Sequence, residues 1–449
     1  MKLEGKSLKR DFLRFIIPSI IAQWVFTLYT MIDGIFVARG VSETALTAVN
    51  ISMPFTMALF SISILFAIGT STVVAILLGQ GEKKKANEVF TQNILLLSLL
   101  SIIITVVVYI WLEPLSRFLG ATDNILPYTM EYIGTLAPFS IAFILSYSFE
   151  TLIKTDGYPK LATIYVTVGA IMNCILDYLF VMVFHQGVFG AAFATGISQV
   201  AVIFLYLKHF LGAKSTIKFS RFKLDLKMTV RKFRNGLSAG VTEMSAGITI
   251  FFFNWAILKY INEGALVSYT IISYVNSIVV MSMAGIAQGA QPLISYYYGK
   301  KEKKKYHKLF RYGLTAAAVI SVIAVVFCMV GAKGIVSLFV AKEHTELMEY
   351  SVKVFRIFIL SFLLVGYNVV VGGFFTAVEK PTFATMISVG RGLVLLVCSL
   401  FVLTAVFGGE GIWWTPILSE ALCLIMTMSM LLYYRKRARK TMTIAVPEY

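Results

Sequence analysis

Charge is what this 449-residue chain has least of: only 14% of its residues are Asp, Glu, Lys or Arg, against roughly 25% in soluble domains. Acids are scarcer still, 23 against 40 Lys and Arg, for a net charge of +17. With 58% apolar residues and a mean hydropathy of +0.80, no water-soluble packing hides this much apolar surface, so lipid is part of the solvent. An ordinary soluble enzyme is excluded. On such a chain the positive excess marks a basic face beside the membrane rather than a nucleic-acid partner. Cysteines are few as well. Cys174, Cys328, Cys398 and Cys423 sit inside apolar stretches without a C-x-x-C pair, which excludes a disulfide frame or zinc spacing. The four histidines are scattered and form no H-E-x-x-H motif. No cofactor is expected.

Long apolar runs are abundant. About twelve are long enough to cross the hydrocarbon core, which takes roughly 20 residues each. They cover approximately 12–36, 48–78, 90–112, 128–150, 161–183 and 188–210, then 236–261, 266–298, 306–330, 347–377, 382–404 and 411–434. Their continuity excludes a β-barrel. The first run exceeds the ~7–15 residues of a signal-peptide core, so it reads as a retained span. The expectation is an all-α, multi-pass integral membrane protein. Of the 40 Lys and Arg, 32 fall at the two termini and in the even-numbered loops, six in the odd-numbered loops (Arg39, Arg117, Lys259, Lys333, Lys342 and Lys353), and two in spans. The positive-inside rule then places both termini on the cytoplasmic side of the cell (cytoplasmic, or inner) membrane.

The chain also repeats itself. Residues 79–90 recur as 299–310, with six of twelve positions identical. Ala67-Ile68-Gly69 returns as Ala287-Gln288-Gly289 at the same offset, and Pro159, Gly190 and Ser198 return as Pro381, Gly411 and Ser419. This predicts an amino-terminal six-helix lobe (1–210), a basic cytoplasmic linker (211–235), a carboxy-terminal six-helix lobe (236–434) and a basic cytoplasmic tail (435–449). An even number of crossings gives both lobes one orientation, hence a pseudo-twofold along the membrane normal with a substrate cavity between them. Duplicated lobes around a cleft point to a transporter.

Ionisable groups inside spans are costly and are functional candidates by default. Asp33 lies late on the first helix, fifteen residues after Pro18, a candidate bend. Asp177 shares a helical face with Asn173, four residues before it. Acids beside an amide suit a proton or a hard cation such as sodium. Glu150, Glu243 and Glu420 are the remaining intramembrane acids. Glu150 and Glu420, near span ends, also suit snorkelling or a bond to a neighbouring helix. Arg356 is placed to snorkel, whereas Arg391 either neutralises an acid across the bundle or reaches the interface.

The run Ile32-Asp33-Gly34-Ile35-Phe36-Val37-Ala38-Arg39-Gly40 resembles the first-helix signature of multidrug and toxic compound extrusion (MATE) transporters. Asn173 to Asp177 with Tyr178-Leu179-Phe180, and the run 187–198, fit the same family, and the resemblance spans essentially the whole chain. It implies a V-shaped pair of lobes expelling organic, often cationic, compounds in exchange for Na+ or H+. It also implies a cation site at Asp33, Asn173, Asp177 and Thr195, the positions matching the family's Asp, Asn, Asp and Thr. Glu243 resembles a helix 7 Glu used by some members, but the accompanying helix 10 Asp has no counterpart around Asn368–Phe375.

The leading expectation is therefore a secondary active antiporter exporting small amphipathic organic cations and acting as a monomer. The 35 Phe, 22 Tyr and 18 Met offer apolar and cation–π lining, although of Phe251, Phe252 and Phe253 at most one ring can face a cavity. The alternative is a flippase for lipid-linked saccharides, which wants several buried cations where only Arg391 is available. An intramembrane enzyme would need a nucleophile–base set or a metal cluster, and no such motif is present.

Overall fold

A computed structural model describes residues 7–340 and 344–444, and these are almost entirely helical, with no strand among them. Among the described residues sixteen α-helices build twelve crossings. The first half comprises α1 (Leu8–Gly40), α2 (Glu43–Gly79), α3 (Lys83–Ile110), the short α4 (Leu112–Phe118), α5 (Leu126–Leu136) continued by α6 (Ser140–Asp156), α7 (Pro159–Asp177) and α8 (Gly187–Leu211). The second half comprises α9 (Leu226–Tyr260), α10 (Gly264–Gly299), α11 (Lys303–Ser337), α12 (Thr345–Phe358) continued by α13 (Phe362–Ala377), α14 (Pro381–Val389) continued by α15 (Leu395–Phe407), and α16 (Gly411–Ile444).

The last apolar stretch, Pro381–Arg437, is 57 residues long, far more than a ~30 Å core needs at about 1.5 Å per residue. A turn at Gly408–Glu410, where Gly408 takes φ +59°, folds it into two crossings. The repeat is visible in the backbone. Each half breaks its fourth crossing with one 3-10 turn, Ala137–Phe139 and Ile359–Ser361. The left-handed turn residues Gly81 and Gly157 are matched by Lys301 and Glu379.

Two expected boundaries need correction. The linker is shorter than 211–235, because Asp225 caps α9 by accepting from the Met228 N–H at 3.1 Å and the helix starts at Leu226. The basic residues 227–234 belong to a helix, not a loop, and Lys232 among them is fully buried. At the other end α16 continues through the first ten residues assigned to the tail, and 445–449 lie outside the described residues, as does Lys342. What remains of the linker is pinned to the first lobe. Fully buried Asp156 accepts from Ser215 Oγ (2.9 Å) and the Thr216 N–H (2.9 Å), with His209 Nε2 at 2.9 Å. The start of α9 is tied to both lobes: Gln92 of α3 donates to the Asp225 carbonyl and to Thr229 Oγ1, each at 3.0 Å, and Arg231 grips Glu379 in bidentate fashion at 2.7 and 2.8 Å.

The lobes meet backbone to backbone. A Cβ on Gly69 of α2 would lie 1.9 Å from the Lys232 carbonyl oxygen of α9, and one on Gly236 would lie 1.7 Å from that of Leu65. Gly79 of α2 faces the Tyr296 carbonyl of α10 at 2.1 Å by the same measure, and Gly299 faces that of Ile76 at 2.2 Å. Residues 76 and 79 map onto 296 and 299 by the repeat, so this last contact is self-complementary, as a twofold axis requires. All four glycines lie toward the end of the bundle that carries the termini, and that end is sealed.

Candidate functional site

Above the seam a cavity of about 230 Å³ opens between the lobes, lined from α1, α2, α6 and α7 on one side and α9, α10, α13 and α14 on the other. Its rings are Phe26, Phe60 and Tyr147. None of Phe251, Phe252 and Phe253 reaches it: Phe253 is buried, stacking on Tyr269 at 5.1 Å. Three charged side chains line the cavity, Glu150, Glu243 and Arg391.

Two of the three are neutralised from behind the wall. Glu150 Oε1 receives the Lys154 ammonium at 2.5 Å, one helical turn along α6, and both side chains are buried. Arg391 donates from Nε to Glu420 Oε1 at 2.7 Å, while buried Asn368 donates to Glu420 Oε2 at 2.7 Å and accepts from Thr427 at 2.8 Å. Arg391 thus neutralises an acid across the bundle instead of reaching the interface, and Glu420 is bonded rather than snorkelling. Asn368 holds this network together in the helix where no Asp was found. Arg356 is exposed. Lys154 was missed because the predicted fourth span stopped at residue 150, whereas the helix runs on to Asp156. A hydropathy window ends at the first charges even when those charges are buried.

Glu243 stands apart. Among the described residues it makes no ion pair or hydrogen bond. The repeat explains why. Its equivalent by the 220-residue offset is Gln23, which donates to Gln288 at 2.9 Å. The residue equivalent to Gln288 is Ile68, which has nothing to offer a carboxylate. Gln23, Gln288 and Ile68 line the same cavity.

The second cluster lies within the first lobe, where α1, α7 and α8 pack together. The structure brings Asp33, Asn173, Asp177 and Thr195 to one place. Asn173 and Asp177 occupy the last turns of α7, and Asn173 Nδ2 donates to Thr195 Oγ1 at 3.4 Å. The Asp33 and Asp177 side chains adjoin. Asp177 is fully buried and Asn173 nearly so. Asp33 Oδ1, Asn173 Oδ1 and both Asp177 oxygens are buried without any hydrogen-bond donor. Leaving a buried carboxylate unsatisfied costs several kcal/mol, about what an uncompensated ion costs in a protein interior. Such a set of orphaned oxygens fits a proton or a small hard cation, and it is chemically suited to sodium. Immediately after Asp177 the backbone widens into a π-helical stretch, Tyr178–Val183, a distortion often found at functional positions. Pro18 sits further back on α1, which stays helical from Leu8 to Gly40, and its carbonyl accepts from Thr163 of α7 at 2.7 Å.

A duplicated helical bundle, sealed at one end, with a ligand-sized cavity between lobes and a separate acid cluster inside one of them, is built as a membrane transporter. The profile of the MatE family matches residues 18–179 and 242–402. The chain belongs to the MatE family, whose members are membrane transporters and not enzymes. It is similar over 98% of its length to 96% of the multidrug export protein MepA of Staphylococcus saprophyticus, at 24% identity, and equally identical to the MepA of Staphylococcus aureus over 96% and 94% of the two chains. Among solved structures, the outward-facing conformation of a multidrug resistance MATE family transporter of the MOP superfamily superposes with a TM-score of 0.90 at 21% identity, covering 97% and 98% of the chains. A MOP superfamily transporter from Pyrococcus furiosus, described by the reverse polarity of its binding pocket, superposes at 0.88 with 22% identity over 97% and 98%.

Proposed function

We propose that the protein is an antiporter that exports amphipathic organic cations across the cytoplasmic membrane, driven by inward movement of Na+ or H+. The observation that carries this reading is the separation of two anionic sites. Glu243 gives the inter-lobe cavity an unpaired carboxylate among apolar and aromatic walls, a setting for a cationic amphiphile. Asp33, Asn173, Asp177 and Thr195 give the first lobe a set of acceptor oxygens that wants a small cation. Two sites in one bistable frame can be linked by a coupling free energy, which is what exchange requires. The export named for the MepA relatives agrees with it. A single chain supplies both lobes and completes the cavity, so the monomer is the working unit. With the basic termini cytoplasmic, the sealed end faces the cytoplasm.

The flippase reading finds less support. Among the described residues Arg391 is the one cation lining the cavity, and Glu420 occupies it. The deciding experiment is efflux of a cationic dye from everted vesicles with sodium and pH gradients imposed separately. One or both gradients should drive the dye in the parent. Asp33→Asn and Asp177→Asn should each abolish that transport at unchanged expression, and Glu243→Gln should be milder, raising the dye concentration needed for half-maximal rate. Dye movement indifferent to both gradients would overturn the antiport reading.

A further inference from the structure

The charged groups around the central cavity occupy positions where the two halves of the repeat differ. Glu150 and Lys154 have Gly372 and Thr376 as their counterparts, Glu243 has Gln23, and Arg391 has Gly169. The charges are therefore additions to a neutral, symmetric frame, and their balance is set by a few side chains. Glu150 is cancelled by Lys154 at 2.5 Å and Arg391 by Glu420 at 2.7 Å. Among the described residues that line the cavity Glu243 alone is left over, so the cavity presents one net negative charge.

We infer that Lys154 sets the charge class of the substrate: by masking Glu150 it matches the cavity to organic monocations and disfavours dications. This rests on the proposed cation-binding role of the cavity and adds to it. Lys154 is buried on the far side of Glu150 and does not line the cavity, so it acts through Glu150 rather than by touching the ligand. Without Lys154 two carboxylates on opposite lobes, Glu150 on α6 and Glu243 on α9, would face the same space. A ligand with two separated positive charges would then engage both at once. With Lys154 in place its second charge enters an apolar wall without a counter-ion, which costs more than the extra contact returns.

The test uses purified full-length protein and calorimetric titration with alkyltrimethylammonium ions and bis-trimethylammonium ions of matched chain length, from butyl to decyl. The parent should bind the monocations more tightly at every length. Lys154→Met should raise the dication-to-monocation affinity ratio about tenfold at the best-fitting length, an order of magnitude set by one added ion contact at reduced dielectric. Glu150→Gln with Lys154→Met, which removes the pair together, should return the ratio to the parental value. Because Lys154→Met leaves a buried carboxylate unpaired and can cost folding, Glu150→Gln alone is a second arm. It keeps Lys154 charged, brings the cavity to neutrality, and should weaken both probe classes about tenfold, an order of magnitude set by the same charge term. An unchanged ratio in folded Lys154→Met, or unchanged affinities in Glu150→Gln, overturns the inference. Glu243→Gln separates the two claims: monocation binding unaffected by that change refutes the cation-binding reading itself, whatever the Lys154 variants do.

Discussion

At the scale of single residues, the site is built from side chains that give up stability. Asp177 is wholly enclosed and neither of its oxygens receives a proton donor. Removing its charge should therefore relieve the fold while ending transport. In sodium-free buffer at neutral pH, Asp177→Asn is expected to be more stable than the parent by about 1–3 kcal/mol, the cost of leaving a buried group unsatisfied. Sodium or acid should raise the parent's Tm and leave that of the variant nearly unmoved; a variant that still responds would place the ion elsewhere. Asp33, Asn173 and Asp177 were legible in the sequence because helical periodicity puts Asn173 and Asp177 on one face and because an acid inside an apolar run is conspicuous; Thr195 was reached only through the family resemblance. Lys154 was not legible, since it follows the end of its apolar run and reads as a loop charge. The isolation of Glu243 was also hidden, because it depends on Ile68 standing where the other half has Gln288.

At the scale of elements, α1 carries both a weak turn and the first acid of the cluster. Proline removes one main-chain hydrogen bond from the helix interior, yet α1 remains helical through Pro18, and the Thr163 hydroxyl binds the Pro18 carbonyl. The weak turn is thus fastened to α7, the helix that ends in Asp177. Changes at the acid cluster can reach this turn along two connected helices. Pro18→Ala should keep substrate affinity but slow turnover, with distances between spin labels at the two ends of α1 responding to sodium or pH much less than in the parent; an equal response would make the proline a tolerated residue only. Helix existence was readable throughout from run length, and most ends were right within a few residues. The start of α9 was not, because its first ten residues, rich in Lys and Arg, look like a linker until Asp225 is seen capping them.

At the scale of the whole molecule, the repeat that was faint in sequence is exact in function at the seam, where related glycines on α2 and α10 face each other's backbones. A methyl group at Gly236 has no room, since the Leu65 carbonyl would lie 1.7 Å from it, so Gly236→Ala must wedge α2 from α9. Overpacking of this kind costs about 1–3 kcal/mol, enough to shift a two-state population by roughly an order of magnitude. With the native cysteines replaced, a cysteine at Ser61, whose hydroxyl now donates to the Gly240 carbonyl at 3.0 Å, should react with a membrane-impermeant maleimide from the terminus-bearing side about tenfold faster in the Gly236→Ala background. Equal rates would mean that the lobes separate elsewhere. Sequence alone located Gly69, Gly79 and Gly299 as repeat landmarks but gave no sign that they are contact points, because a glycine's partner is a backbone and leaves no complementary residue type to search for.

That backbone-to-backbone seal also makes the closed end an electrical insulator. Side chains swing aside on fast timescales and admit files of water, along which protons hop; two peptide chains in contact offer neither gap nor swing. A membrane voltage, worth about 2.3 kcal/mol per elementary charge for each 100 mV, then falls across a thin layer of main chain that does not conduct. For the antiporter proposed above, charge crosses only when the lobes themselves rearrange, so the energy stored in the gradient is not dissipated by leakage between turnovers.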